Sequence, residues 1–196
     1  MINQESIYGS YLPKLEETLE HMMAAIDVIR KEMTEEFQMD PVEHCLARIK
    51  DPESMREKCR RKGLPETTES AIRLIHDAVG IRIVCAFIND VYTIRERLKT
   101  LDDIEVIEEK DYIRHVKPNG YRSNHMILRY KGEIYVEIQL RTISMDTWAA
   151  LEHHMKYKKE ITGNQSLIVA ELKRCADELA STDLSMQTLR DMILMN

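Results

Sequence analysis

Apolar positions change period several times along the chain, and each change marks an element. Leu12, Leu15, Leu19, Met22, Met23, Ile26, Ile29, Met33 and Phe37 recur at spacings of three and four, which predicts an amphipathic helix over residues 11–38. Residues 44–50 read as a short strand. Asp51, Pro52 and Glu53 then supply an N-cap, a proline at the first helical position and an early acid, so a second helix starts there and stops near Gly63. Residues 66–76 are expected to be helical and residues 79–87 form a β-branched strand. Residues 90–101 form a helix with Val91, Ile94 and Leu98 inward, and residues 104–113 a weaker strand.

Residues 123–130 and 133–141 flank Lys131-Gly132, which reads as a two-residue hairpin turn. In the second of these strands Ile134, Val136, Ile138 and Leu140 share one face, so Tyr135, Glu137, Gln139 and Arg141 share the other. Residues 144–157 look helical with Trp148 and Leu151 inward. Residues 165–195 form a long helix, apolar at Leu167, Ile168, Leu172, Leu179, Leu184, Leu189 and Ile193, and this stripe suggests subunit contacts. The fold class is α+β: a mixed sheet of about five strands with flanking helices and a long helix at either end.

Composition narrows the function classes. At 43% hydrophobic and 32% charged over 196 residues, the chain can bury a core and has no low-complexity tract. No apolar run approaches the roughly 20 residues that span a bilayer, and residues 1–10 lack the pattern of a signal peptide, so the expected location is cytoplasmic. Cys45, Cys59, Cys85 and Cys175 form no C-x-x-C pair, which argues against a zinc site or disulfide framework and for reduced, mostly buried thiols. A net charge of −6 excludes a protein that coats nucleic acid by bulk positive charge. The charge is segregated, however. Residues 5–40 carry nine acids against three bases, residues 44–62 seven bases against three acids, and residues 110–131 six bases against one acid.

Two cationic islands in an acidic chain suggest phosphate handling, yet no Gly-rich phosphate loop of either common type is present. Phosphates must then be held by side chains. His76-Asp77 invites comparison with metal-dependent phosphohydrolases, but the further His and Asp ligands of such a site are missing from suitable places.

Four segments carry more information: Arg48-Ile49-Lys50-Asp51-Pro52-Glu53-Ser54; His76-Asp77-Ala78-Val79-Gly80-Ile81-Arg82; Lys117-Pro118-Asn119-Gly120-Tyr121-Arg122-Ser123-Asn124-His125; and Val136-Glu137-Ile138-Gln139-Leu140-Arg141, leading to Trp148. In this order they resemble the synthetase domain of the RelA/SpoT family over about residues 48–157, and the length resembles that of a small alarmone synthetase. The resemblance implies a nucleotidyltransferase-like synthetase domain, single over residues 1–196 with its core at 44–157, and without a separate hydrolase domain. It implies transfer of pyrophosphate from ATP to the 3′-hydroxyl of GTP or GDP, giving (p)ppGpp and AMP, as in the stringent response.

By the same resemblance Arg48 and Arg82 sandwich adenine, while Lys50, Ser54 and Lys58 hold the triphosphate. Asp77 and Glu137 bind Mg²⁺, and Glu137 orients or deprotonates the 3′-hydroxyl. Tyr121 stacks on guanine, Lys117 and His125 contact acceptor phosphates, Lys110, Arg122 and Gln139 shape that side, and Asp146 meets the guanine edge.

Plainer readings stand beside these. Arg82 can be a strand cation paired with an acid, Glu137 an exposed strand acid paired across to Arg129 or a neighbour, Tyr121 a packed loop tyrosine, and Asp146 a helix N-terminal acid. For His153 and His154 the plainer reading, one packed and one exposed, is preferred. Two other functions share the motifs: a synthetase-like toxin that modifies tRNA 3′ ends, and a non-catalytic module binding single-stranded RNA, which leaves Asp77 and Glu137 without a role. A homo-oligomer, with a tetramer favoured, and an RNA regulator are the remaining expected partners. The acidic first helix argues against activation by product bound to basic residues there.

Overall fold

The computed structural model describes residues 6–157 and 164–194. Helix α1 (Leu12–Phe37) places Leu15, Met22, Ile26, Ile29 and Met33 inward, each at most 4% exposed, and keeps its carboxylates toward solvent. Burying side chains of this size stabilises by about 1.5–3 kcal/mol each. The helix ends where Gln38 turns left-handed at φ 53°. Strand β1 (Val42–Ile49) follows, then α2 (Pro52–Arg61), whose Asp51 carboxylate accepts from the Ser54 N–H at 3.0 Å as the sequence predicts.

The helix expected over residues 66–76 is reduced to one π-helical turn, Ser70–Leu74. Thr67 Oγ1 accepts from Ser70 N–H at its start, and Ile75 N–H reaches back five residues to the Ser70 carbonyl. The wide turn buries Ala71, Ile72 and Ile75, after which the chain turns extended toward β2 (Val79–Cys85). Helix α3 (Ile88–Lys99), β3 (Ile104–Asp111), β4 (Asn124–Tyr130), β5 (Ile134–Thr142), α4 (Ile143–Tyr157) and α5 (Gln165–Leu194) complete the order. Met195, the last residue of the long helix expected, lies outside the described residues.

The five strands form one sheet in the order β1-β2-β5-β4-β3, with β2 and β5 parallel and the other neighbours antiparallel. Lys131 and Gly132 both take positive φ, and Glu133 N–H closes the turn on the Tyr130 carbonyl. Glu133 is an added residue, because Tyr130 pairs with Ile134. Helices α1 and α3 cover one face of the sheet. The register brings His44, Leu46 and Arg48 of β1, Gly80 and Arg82 of β2, Glu137, Gln139 and Arg141 of β5, and His125 of β4 onto the opposite face. That alternation is legible in the sequence, and it positions the site.

Two expectations fail on α4. Trp148 is buried, but Leu151 is 56% exposed, on a stripe with exposed Ile143 and Met155 that nothing else in the described chain covers. His153 and His154 are both exposed, where one packed and one exposed were expected. Cys59 and Cys85 are buried, Cys45 is half-buried and Cys175 is exposed; all four are free thiols. Among the described residues no helix is long and apolar enough to cross a membrane.

Candidate active site

A cavity of about 150 Å³ opens on the uncovered face of the sheet, lined by Leu46, Ala47, Arg48, Lys50, Asp77, Gly80, Ile81, Arg82, Glu137 and Gln139. Its floor is Gly80, which lies in register between Arg48 and Glu137 and has nothing within 4 Å of where a Cβ would stand. Any side chain there would project into the cavity. Six of the expected site residues therefore meet in one place, and Gly80 keeps the space between them open.

Asp77, two residues before β2, lies against two ammonium groups: Lys58 Nζ of α2 at 2.5 Å and Lys50 Nζ at 3.1 Å. Burial pushes the Asp77 carboxyl pKa up, but Lys58 and Lys50 outweigh burial and hold it below the usual carboxylate value. Its other oxygen, Oδ1, is buried with no hydrogen-bond partner. One carboxylate against two lysines leaves the end of the cavity with an excess positive charge, which suits a polyphosphate. Ser54 sits exposed in the first turn of the same helix, with its N–H already capped by Asp51.

Glu137 stands mid-strand on β5, where Gln139 Nε2 donates to its Oε2 at 3.2 Å. Its cross-strand neighbour on β4 is Ile127, and Arg129 instead pairs with Glu105. Pairing of Glu137 with Arg129 is therefore overturned, and the neighbour that meets it is Gln139. Arg82 contacts Asp146 at 3.4 Å, so its plain reading as a strand cation paired with an acid holds in part. Burial, then the nearby Arg141, pulls the Arg82 pKa down, a sign of cations crowded together.

Asp146, in the first turn of α4, is held by Arg141 at 2.9 Å as well as by Arg82. It is thus an anion between two guanidinium groups rather than a free carboxylate at the helix start.

Sequence reasoning placed Arg141 on the correct face but gave it no role. It is 5% exposed and donates to Asp146, to Gln139 Oε1 at 3.1 Å and to the Tyr121 hydroxyl at 2.8 Å. The Tyr121 oxygen accepts from Arg141 and lies 2.7 Å from His125 Nε2, a geometry in which the hydroxyl can donate to a neutral imidazole protonated on Nδ1. Burial, then Arg141, Lys117 and Lys110, pull the His125 pKa from 6.5 to about 4, in agreement.

Tyr121 also meets Trp148 edge-on at 6.4 Å, and Lys117 lies over its ring at 4.9 Å and over Tyr112 at 4.2 Å. Lys110 is on the edge strand β3 opposite His125, exposed and paired with Glu108 at 2.8 Å. Arg122, expected to help shape this side, turns instead toward α5 and binds Asp177 at 2.7 Å.

His76 stacks on Tyr135 at 3.9 Å, and among the described residues no group of three or more His, Cys, Asp or Glu side chains is placed to hold a metal ion. The site has instead two carboxylates facing a cavity ringed by guanidinium and ammonium groups, with an aromatic loop beside it.

Comparison with known proteins agrees with this geometry. The family profile described as a region found in RelA / SpoT proteins matches residues 47–162. GTP pyrophosphokinase YjbM of Bacillus subtilis is 32% identical over 188 residues, covering 92% of this chain and 87% of that protein. The chain belongs to the RelA/SpoT family.

A second relative from the same organism, GTP pyrophosphokinase YwaC, is 45% identical over 126 residues, 61% of this chain and 60% of that protein. The crystal structure of small alarmone synthetase 1 from Bacillus subtilis bound to its product pppGpp superposes with a TM-score of 0.80 at 30% identity, covering 93% of this chain and 95% of that one. The matched RelA/SpoT region contains every expected site residue, from Arg48 to Asp146.

Proposed function

We propose that this chain is a GTP pyrophosphokinase that moves the β,γ-pyrophosphoryl group of ATP to the 3′-hydroxyl of GTP or GDP, forming (p)ppGpp and releasing AMP. The observation that carries this reading is the meeting of Asp77 and Glu137 at one cavity with Arg48, Lys50 and Arg82, beside the loop of Tyr121. ATP and GTP together bring about eight negative charges, and the cations at this face exceed its carboxylates in number, as binding both requires. Arg48 and Arg82, on neighbouring strands, present flat guanidinium groups to adenine, and Lys50, Ser54 and Lys58 take the triphosphate. On the other side Tyr121 stacks on guanine, with Lys117, His125 and Lys110 toward the acceptor phosphates. Gln139 bridges the two halves, and Asp146 sets the guanidinium groups on either side of it.

The 3′-oxygen forms a bond to the β-phosphorus as the bond from that phosphorus to the α,β-bridging oxygen breaks, and its electron pair leaves with AMP. The proton of the 3′-hydroxyl passes to the Glu137 carboxylate, whose orientation Gln139 fixes through Oε2. Asp77 and Glu137 would hold a divalent cation, and Mg²⁺ fits best: both donors are hard oxygens, and Asp77 Oδ1 is a buried oxygen without a partner. Bound there, the ion would supply positive charge to the phosphoryl oxygens.

The outer side of α5 exposes Leu184, Leu189, Met192 and Ile193, and this surface supports assembly of the chain with copies of itself, with a tetramer favoured. Light scattering that found a monomer at micromolar concentration would refute the assembly. For the activity, incubation with ATP and Mg²⁺ should yield AMP in step with a 3′-pyrophosphorylated nucleotide when GDP or GTP is added. Turnover with tRNA alone as acceptor would overturn the assignment.

A further inference from the structure

The loop that bears Tyr121 is not free-standing. Gly120 sits at φ +92°, and a Cβ there would lie 2.7 Å from Ala176 Cβ and 3.0 Å from Lys173 Cα of α5, so only a glycine lets the loop approach the helix this closely. The next side chain but one, Arg122, donates at 3.1 Å to the Gly120 carbonyl and at 2.7 Å to Asp177, one turn along the same helix face. Asp177 is itself steadied by Lys173 at 2.6 Å. Trp148, edge-on to Tyr121, donates its indole N–H to the Leu172 carbonyl of α5 at 2.8 Å.

The helix in turn is fixed to the sheet end by polar contacts. Thr142 donates to Asp183 at 2.6 Å, Gln187 accepts from the Asn89 N–H at 3.0 Å, and Arg190 binds Asp90 at 2.6 Å, both of that last pair being at most 5% exposed. The helix is thus anchored to the strand and helix ends at one part of its length and to the loop at another.

We propose that α5 positions the acceptor-binding loop, with Gly120, Arg122, Ala176 and Asp177 acting as positioning residues that set where the Tyr121 ring stands. This rests on the reading of Tyr121 as the residue that stacks on guanine. None of the four touches the cavity that takes ATP, so their effect falls on the acceptor alone.

The test uses the full chain with the variants Gly120→Ala, Ala176→Val and Asp177→Ala. Trp148 is the single tryptophan of the chain and stands against Tyr121, so its fluorescence titrated with GDP reads acceptor binding without turnover. Asp177→Ala should raise the GDP dissociation constant and KM up to about fivefold, as fits loss of a partly exposed ion pair. Gly120→Ala and Ala176→Val should raise them about tenfold or more through displacement of the loop. KM for ATP, and kcat at saturation with both nucleotides, should stay within about twofold of the parent.

An unchanged GDP affinity in Asp177→Ala and in Ala176→Val would overturn the proposal, as would a parallel rise in both KM values with a fall in melting temperature. Should Gly120→Ala fail to fold, the two helix variants decide the matter. If the parent binds GDP but transfers nothing to it, the proposed activity fails while the fluorescence titration still tests the positioning role.

Discussion

The two halves of the site are built differently. The side proposed for ATP is made from strands and a capped helix, with Arg48 and Arg82 on β1 and β2 and Lys58 on α2; Asp77 already holds Lys50 and Lys58, and Asp146 holds Arg82. The side proposed for the acceptor is a loop whose aromatic residue is tied down by hydrogen bonds to His125 and Arg141 and whose backbone leans on α5. On the first side the sheet itself fixes geometry, and the carboxylates keep lysines and arginines in place without substrate. On the second, geometry is borrowed from a distant helix, so it can be changed without touching the chemistry.

The largest effect that sharpens this contrast comes from the residue between the halves. Glu137→Gln should lower turnover by about 100-fold or more, in line with loss of a general base, while binding of either nucleotide measured by titration persists. Undiminished turnover would remove Glu137 from its role. Next come paired variants, one from each side. Tyr121→Ala should raise KM for GDP by about 5- to 150-fold, the range for loss of a stacked base, and leave KM for ATP alone. Lys58→Ala should raise KM for ATP about tenfold or more, as for lost hydrogen bonds to a charged group, and leave KM for GDP alone. If each variant shifted both constants equally, the division into halves would be wrong.

The smallest effect concerns the acceptor side without substrate. Folding lowers the His125 pKa from 6.5 to about 4. Between these values the unfolded chain takes up a proton that the folded chain does not, so the stability from keeping this histidine neutral is fully present above pH 6.5 and is lost as pH falls toward 4. The loss is at most about 1.4 kcal/mol per pH unit. Melting curves at pH 7 and 5 should therefore converge in His125→Gln relative to the parent, and identical pH dependence in both proteins would contradict the buried, neutral imidazole.

How much of this was legible in the sequence differs between the same regions. Period-two alternation in residues 134–141 already put Glu137, Gln139 and Arg141 on one face, and the Asp51-Pro52 cap placed α2. Helix α1 was readable because its buried side is apolar. Helix α5 reverses that rule: it buries Ala176, Asp183, Gln187 and Arg190 while exposing Leu184, Leu189 and Ile193. Hydrophobic spacing finds the helix and reads its apolar stripe as a contact surface, but it leaves unseen the polar side that packs inward, because partners distant in sequence such as Asp90 and Thr142 satisfy those groups.

The roles of Arg141 and Arg122 were hidden for the same reason, since each is defined by a partner that only folding brings near. The π-turn at Ser70–Leu74 was missed because its apolar residues fit a helical period over a segment too short to show where the chain must turn.

The proposed activity rests most directly on the fate of the three phosphorus atoms of ATP. With ATP labelled in turn at the α, β and γ positions, Mg²⁺ and GDP, the β and γ labels should appear together on the guanosine product and the α label in AMP alone. Transfer of the γ label by itself with formation of ADP, or of the α label to the acceptor, would contradict it.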